Sequence, residues 1–258
     1  MKHRNMVFDF THCYTRREAQ DLAWFDCSAI SGSRLYCSKE AETQIKELIR
    51  PNGISGIHFI DSGDYHYITK CMTDFIEEPF SLVLIDHHTD MQDACIGDLL
   101  SCGNWAKKVL MENPYLQILV LIGQEQKTFD RSSLFHSDQL VEISYEELKD
   151  HSARKKLQAL PTNFPIYISI DKDVLNESCA VTNWDQGEMS LPLLENVLKI
   201  LISNYDVIGI DICGDFPEGD SIPEFLRAER INMRSDEELY HFLYTFLKEK
   251  ESISHAKP

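Results

Sequence analysis

Short apolar runs of strand length alternate along this chain with stretches of helical period. Runs at residues 6–10, 54–60, 81–85, 117–122, 140–143, 165–170 and 207–211 are rich in Ile, Val, Leu and Phe. Several are apolar on both faces, as parallel strands covered by helices are. Apolar positions at helical spacing predict helices over 39–49, 68–75, 104–112, 145–149, 191–203 and 236–248. Ser235, before Asp236, Glu237 and Glu238, has the arrangement of a capping box. Ser190 precedes the next clear start, with Pro192 in the first turn and Glu195 behind it. Asn104 is placed to cap the helix it opens. Strand–helix alternation of this kind predicts an α/β fold with a mainly parallel sheet.

Composition narrows the picture. No repeat, linker or charge block divides the 258 residues, so the chain reads as one domain with a polar, frayed tail at 252–258. The formal net charge is -17, from 42 acidic and 25 basic residues. Such a field repels phosphate backbones and anionic membrane surfaces, which argues against a nucleic-acid partner. No apolar run approaches the roughly 18 residues of a membrane span. Asp9, His12 and the 16–18 stretch interrupt any signal-peptide apolar region. The eight Cys are scattered without a C-x-x-C pair, as in a reduced protein, and the chain is read as cytoplasmic.

Ligands of open α/β sheets bind at the carboxyl ends of strands, so the residues after each apolar run carry the chemistry. The run at 54–60 is followed by Asp61-Ser62-Gly63-Asp64-Tyr65-His66. The run at 81–85 is followed by Asp86-His87-His88-Thr89-Asp90, and the run at 165–170 by Asp171-Lys172-Asp173. The run at 207–211 leads into Ile212-Cys213-Gly214-Asp215. In an extended segment alternate residues share a face, which groups Asp86, His88 and Asp90, and likewise Asp171 and Asp173. Carboxylates packed this densely repel one another unless cations sit among them. Asp with neutral His suits Mn²⁺, Fe²⁺, Co²⁺ or Zn²⁺. Each element alone has a plainer reading: an isolated D-x-D as a solvated turn, a lone loop His as a surface residue.

The order His66, then Asp86-His87-His88-Thr89-Asp90, then Ser169-Ile170-Asp171-Lys172-Asp173 resembles the ureohydrolase family of arginases, agmatinases and formiminoglutamases. Its signatures are a Gly-rich loop ending in His, D-A-H-x-D and S-x-D-x-D. The 63–69 stretch, GDYHYIT, is similar to the first, and Gly187 with Ser190-Leu191 is similar to a further family stretch. The resemblance covers residues 63–217. It implies a three-layer αβα sandwich with a parallel sheet, an arginase-like fold, and two Mn²⁺ ions, with Fe²⁺, Co²⁺ and Zn²⁺ left open. Carried over by motif, His66, Asp86, Asp90 and Asp171 hold one ion, and Asp86, His88, Asp171 and Asp173 the other. Four carboxylates then balance two divalent cations. The implied activity is hydrolysis of linear C–N bonds in a small-molecule substrate, with Asp173 orienting the nucleophile and protonating the leaving nitrogen. A homo-oligomer is a further expectation of the resemblance.

Departures from the family pattern shape the substrate. The stretch Asp211-Ile212-Cys213-Gly214-Asp215-Phe216-Pro217 stands where guanidine hydrolases carry D-[IL]-V-E-V-N-P, and Gly214 replaces the Glu that grips a guanidinium. A carboxylate from Asp215, Glu218 or Asp185 would have to reach in instead, so a guanidino, formimino or amide compound other than arginine is expected. Cys102 stands where the family has a proton-shuttling His. It is taken with Asp173 as a catalytic residue, against the reading of a packed loop Cys. His87 replaces the usual Ala and points away from the metals, Trp184 is pocket wall, lid or exposed loop, and Tyr65 and Tyr67 are substrate donors or packing. Two rival functions remain: a single-zinc deacetylase-like amidohydrolase, and a catalytically silent relative that binds metal or ligand.

Overall fold

The apolar runs become strands because both of their faces find cover. The computed structural model describes residues 4–14, 22–124, 136–216 and 221–255. In chain order the strands and helices begin with β1 (Asn5–Asp9), β2 (Leu22–Asp26), β3 (Tyr36–Cys37), α1 (Lys39–Ile49), β4 (Ile57–Phe59), α2 (Ile68–Thr73) and β5 (Phe80–Ile85). Next come β6 (Leu100–Ser101), α3 (Trp105–Glu112), β7 (Leu116–Ile122), β8 (Leu140–Ile143), α4 (Tyr145–Lys149) and α5 (Ala153–Ala159). The last are β9 (Ile166–Asp171), α6 (Leu191–Asn204), β10 (Val207–Cys213) and α7 (Ile222–His255).

Eight strands form one sheet in the order β2-β1-β4-β10-β9-β5-β7-β8, and every pairing in it is parallel. β3 and β6 make a separate antiparallel pair. Alternation along β5 divides the core. Leu82 and Leu84 pack with Ile45, Ile68, Met72 and Val109 of α1, α2 and α3. Val83 and Ile85 face the other way, toward Leu157, Leu194, Leu198, Leu239 and Leu243 of α5, α6 and α7. The result is three layers, αβα, as expected. No helix among the described residues is long and apolar enough to cross a membrane.

Several local expectations need correction. α7 starts at Ile222, and Ser235 lies inside it rather than capping it. Its hydroxyl donates to the Ile231 and Asn232 carbonyls, the back-bonding a Ser adopts within a helix. The first turns of α7 escape the pattern because Ile222 and Leu226 are exposed and the segment between them and Ser235 is mostly polar. Ser190 does occupy the position before α6, with Pro in the first turn, but its hydroxyl makes no cap bond. Asn104 likewise precedes α3 while its side chain bonds Ser101 N and the Leu99 carbonyl instead. β2 was missed because an edge strand is only half covered, and α5 because seven residues are too few for a clear period. Beyond residue 248 the helix continues to His255, while 256–258 lie outside the described residues.

Candidate metal centre

The four innermost strands, β4, β10, β9 and β5, end side by side, where the connections on either side diverge. After β4 the chain turns at Asp61, whose φ is +69°. Its carboxylate accepts from the Phe10, Thr11 and Ser62 amides, which ties this turn to the end of β1. A single 3₁₀ turn, Gly63–Tyr65, then delivers His66 into the interior, 2% exposed.

His66 is held in one tautomer. Its Nε2 lies 2.9 Å from Ser169 Oγ, and that hydroxyl donates to Asp211 Oδ1 at 2.5 Å. Burial raises the Asp211 carboxyl to about 6, so it is ionised at neutral pH and takes the hydroxyl proton. Ser169 therefore accepts from His66 Nε2–H, which leaves Nδ1 facing inward. Nδ1 stands 3.3 Å from Asp86 Oδ2, 3.1 Å from Asp90 Oδ2 and 3.3 Å from Asp171 Oδ2. A lone pair aimed at three carboxylate oxygens is repulsive unless a proton or a metal ion lies between them. Burial disfavours the protonated ring, yet Cys213, Asp171, Asp86 and Asp90 outweigh it and hold the His66 pKa well above its ordinary value. Asp90 has φ +50° and accepts from Trp105 Nε1 at 2.5 Å, which locks it against α3.

A second group adjoins the first through Asp86. Its Oδ1 accepts from the His88 amide at 2.5 Å. His88 Nδ1 lies 2.8 Å from Asp173 Oδ2 and 3.7 Å from Asp86 Oδ1. Asp173 Oδ1 accepts from the His87 amide, and the Asp173 amide donates to Asp171 Oδ1 at 2.9 Å. Burial, then the neighbouring charges of Asp173 and Asp90, push the Asp86 carboxyl well up, and burial with Asp171 raises Asp173. Burial acts the same way on Asp171, but its bond to His66 and the charge there hold it below its usual value. His88 is carried up to about 10, burial opposing and Asp173 prevailing. The donor atoms of His66, Asp86 and Asp90 lie within 4.8 Å of one another, as do those of Asp86, His88 and Asp173. Oxygen and imidazole donors in two sets sharing a carboxylate are a chemical match for a pair of divalent transition ions.

Two further trios have this spacing among the described residues: His66, Asp171 and Cys213, and Asp9, Cys13 and Asp61. In the last, the bonds Asp61 makes to the end of β1 account for its position. Sequence reading missed the Cys213 contact, although the residue ends an inner strand like the recognised donors. It also missed Lys172, fully buried between two of those donors, whose ammonium reaches Asp215 at 2.9 Å and Asp236 of α7 at 2.6 Å.

A cavity of about 190 Å³ opens above the donors, walled by Leu35, Tyr36, Gln92, Cys102 and Trp184. Trp184 Nε1 donates to Asp64 Oδ1 at 3.1 Å, and its ring sits so close on Gly63 that a Cβ there would come within 2.7 Å. The indole is thus wall to the cavity and half open to solvent. The Cys102 thiol faces the same space, and burial pushes its pKa up to about 12. Tyr65 stacks on Phe10 and the Tyr67 hydroxyl donates to the Ser33 carbonyl, so both are packing residues. His87 belongs to neither donor set, and its ring meets His88 edge-on.

Gly214 explains the missing Glu in steric terms. Its φ is +96°, and a Cβ would stand 2.5 Å from Asp171 Oδ1 and 2.8 Å from the Lys172 amide. The Asp171 carboxylate and the Lys172 backbone occupy the space that a side chain would need. Asp215 does not substitute, since it is spent on Lys172 and lines a different cavity beside Tyr14 and Tyr240. Asp185 is exposed, and Glu218 lies outside the described residues.

Known proteins resemble this chain in sequence and in fold. The family model described as Arginase matches residues 8–222. A Thermotoga maritima protein described as uncharacterized is 30% identical over 229 residues, 88% of this chain and 85% of that one. The solved structure of a hypothetical agmatinase from Burkholderia thailandensis superposes with a TM-score of 0.65 at 15% identity, over 97% of this chain and 87% of that chain. Formimidoylglutamase from Bacillus subtilis gives 0.62 at 14% identity, over 96% and 86%.

Proposed function

Because this chain belongs to the arginase family, whose members are hydrolases of carbon–nitrogen bonds other than peptide bonds, we propose that it is a binuclear, divalent-metal hydrolase of a small molecule. The observation that carries the reading is His66 Nδ1, turned by Ser169 onto the oxygens of Asp86, Asp90 and Asp171. His66, Asp86, Asp90 and Asp171 would hold one ion. Asp86, His88, Asp171 and Asp173 would hold the other, with Mn²⁺ the family's metal. Bound ions would supply Lewis acidity and make water nucleophilic at neutral pH.

The remaining work falls to side chains. The Asp173 carboxylate is the proton carrier: its Oδ1 accepts from the His87 amide, its Oδ2 lies 2.8 Å from His88 Nδ1, and the residue lines the cavity. It takes a proton from the attacking water and returns it to the leaving nitrogen. Trp184 and Tyr36 wall off bulk water and flank the substrate, while the Cys102 thiol, protonated, offers a weak hydrogen bond rather than a nucleophile. Because Gly214 offers no carboxylate to a guanidinium, a formimino or amide compound is the substrate proposed ahead of arginine. All eight cysteines are free, which suits a cytoplasmic setting. A homo-oligomer belongs to the same reading by family habit.

The test is metal content together with turnover. Elemental analysis of the purified chain is expected to find two transition ions per molecule, with fewer in His66→Ala. A panel of guanidino, formimino and amide compounds is then screened for released amine or ammonia. Asp173→Asn is expected to lower kcat by about 10²–10⁴-fold while the fold persists. One ion per chain, chiefly zinc, would point instead to a deacetylase-like amidohydrolase.

A further inference from the structure

We infer that Cys213 joins His66 and Asp171 as a protein ligand to the ion on the His66 side, and that its sulfur turns this centre from Mn²⁺ toward Fe²⁺, Co²⁺ or Zn²⁺. The inference rests on the metal centre proposed above and concerns only what this chain adds to it. Cys213 ends β10, between β4 and β9, and is fully buried. Its Sγ lies 3.0 Å from Asp171 Oδ2, the same oxygen that faces His66 Nδ1. Donor atoms of His66, Asp171 and Cys213 all fall within 4.8 Å of one another, the spacing found in the two recognised sets.

The approach has a backbone cause. At Gly214, φ +96° lets the chain leave β10 against Asp171, where any Cβ would collide at 2.5 Å. The Gly that stands in place of the family's Glu thus also brings the backbone after Cys213 close against Asp171. Cys102, by contrast, faces the cavity and belongs to none of the donor trios among the described residues. Coordination would break the S–H bond, form one metal–sulfur bond and release the proton to water, with no change of oxidation state. Thiolate is a soft donor and favours Zn²⁺, Fe²⁺ and Co²⁺ over Mn²⁺, which prefers oxygen.

Cobalt gives the test a readout independent of turnover. The full chain is stripped with chelator and loaded with Co²⁺, and its near-ultraviolet spectrum is recorded. A thiolate-to-cobalt charge-transfer band is expected in the parent and in Cys102→Ala, and its loss in Cys213→Ser and Cys213→Ala. In competition, Cys213→Ser should shift the Zn²⁺-over-Mn²⁺ preference by at least about tenfold, since even outer partners of ligands are worth that much. Two bound cobalt ions without the band would overturn the role of Cys213 and leave the binuclear reading standing. No cobalt binding by the parent would overturn both. Absence of the band in the parent overturns the role of Cys213 even if the variants misfold, and Cys13→Ala, which should keep the band, excludes the Asp9, Cys13 and Asp61 trio as its source.

Discussion

Asp171 and Asp173 face one buried acidic cluster, and Lys172 between them reaches another. The two are neutralised in opposite ways. Asp215 and Asp236 share the fully buried Lys172 ammonium, whose pKa they raise further against the effect of burial. Asp86, Asp90, Asp171 and Asp173 have two histidines instead, one of them turned so that a lone pair faces inward. A lysine is a permanent part of the fold. A histidine nitrogen among carboxylates is a donor set that the proposed function gives to a cation from outside. On the proposed function, the difference separates charge that holds the molecule together from charge reserved for chemistry.

The largest effect should come from breaking the internal pair. Lys172→Met takes the ammonium from buried Asp215 and from partly buried Asp236 and is expected to cost about 3–5 kcal/mol in denaturant unfolding. A cost below about 1 kcal/mol would mean that the two clusters are not distinct in kind. Next is removal of the external cation. Chelation should lower stability by about 2.7 kcal/mol when free metal had stood at a hundred times its Kd, and restored metal should recover it. A melting temperature indifferent to chelator would erase the contrast.

Smaller tests sharpen it. Ser169→Ala frees the His66 tautomer and should weaken metal binding by about 10–100-fold in a chelator competition. Unchanged affinity would leave Ser169 a packing residue. The smallest effect is a slope. His88 is raised from 6.5 to about 10 in the metal-free fold, so its contribution is complete below pH 6.5 and is lost as pH climbs toward 10. Metal-free protein should thus lose stability over that window. Loaded protein should not, since ions bind the unprotonated donors. Denaturant midpoints of both forms across the window would show the divergence, and parallel curves would refute it.

Much of this was legible from residue order, for identifiable reasons. Inner strands such as β5 are apolar on both faces, so their ends could be found, and donors such as Asp86, His88 and Asp90 lie a few residues apart. What could not be read depends on distant partners. Ser169 meets His66 across 103 residues, and Lys172 meets Asp236 across 64. Ser235 misled because a local cap signature and an internal helical serine look alike until the chain on its amino side is seen to be helical too. Gly214 was noticed as a lost carboxylate, whereas its crowding against Asp171 needs coordinates.

The strand order also sets a timetable for assembly. β10 is made after all seven other strands of the sheet, yet it lies between β4 and β9, which do not pair with each other. Until it inserts, the sheet exists as two separate parts, β2-β1-β4 on one side and β9-β5-β7-β8 on the other. His66 belongs to the first part, and Asp86, His88, Asp90, Asp171 and Asp173 to the second. The unjoined halves therefore hold His66 apart from the other proposed donors, and the set proposed for the His66-side ion stays incomplete until β10 is in place. The strand that joins the halves also carries Cys213 at its end, so the element that closes the sheet is the one that brings the inferred sulfur ligand to the His66 side.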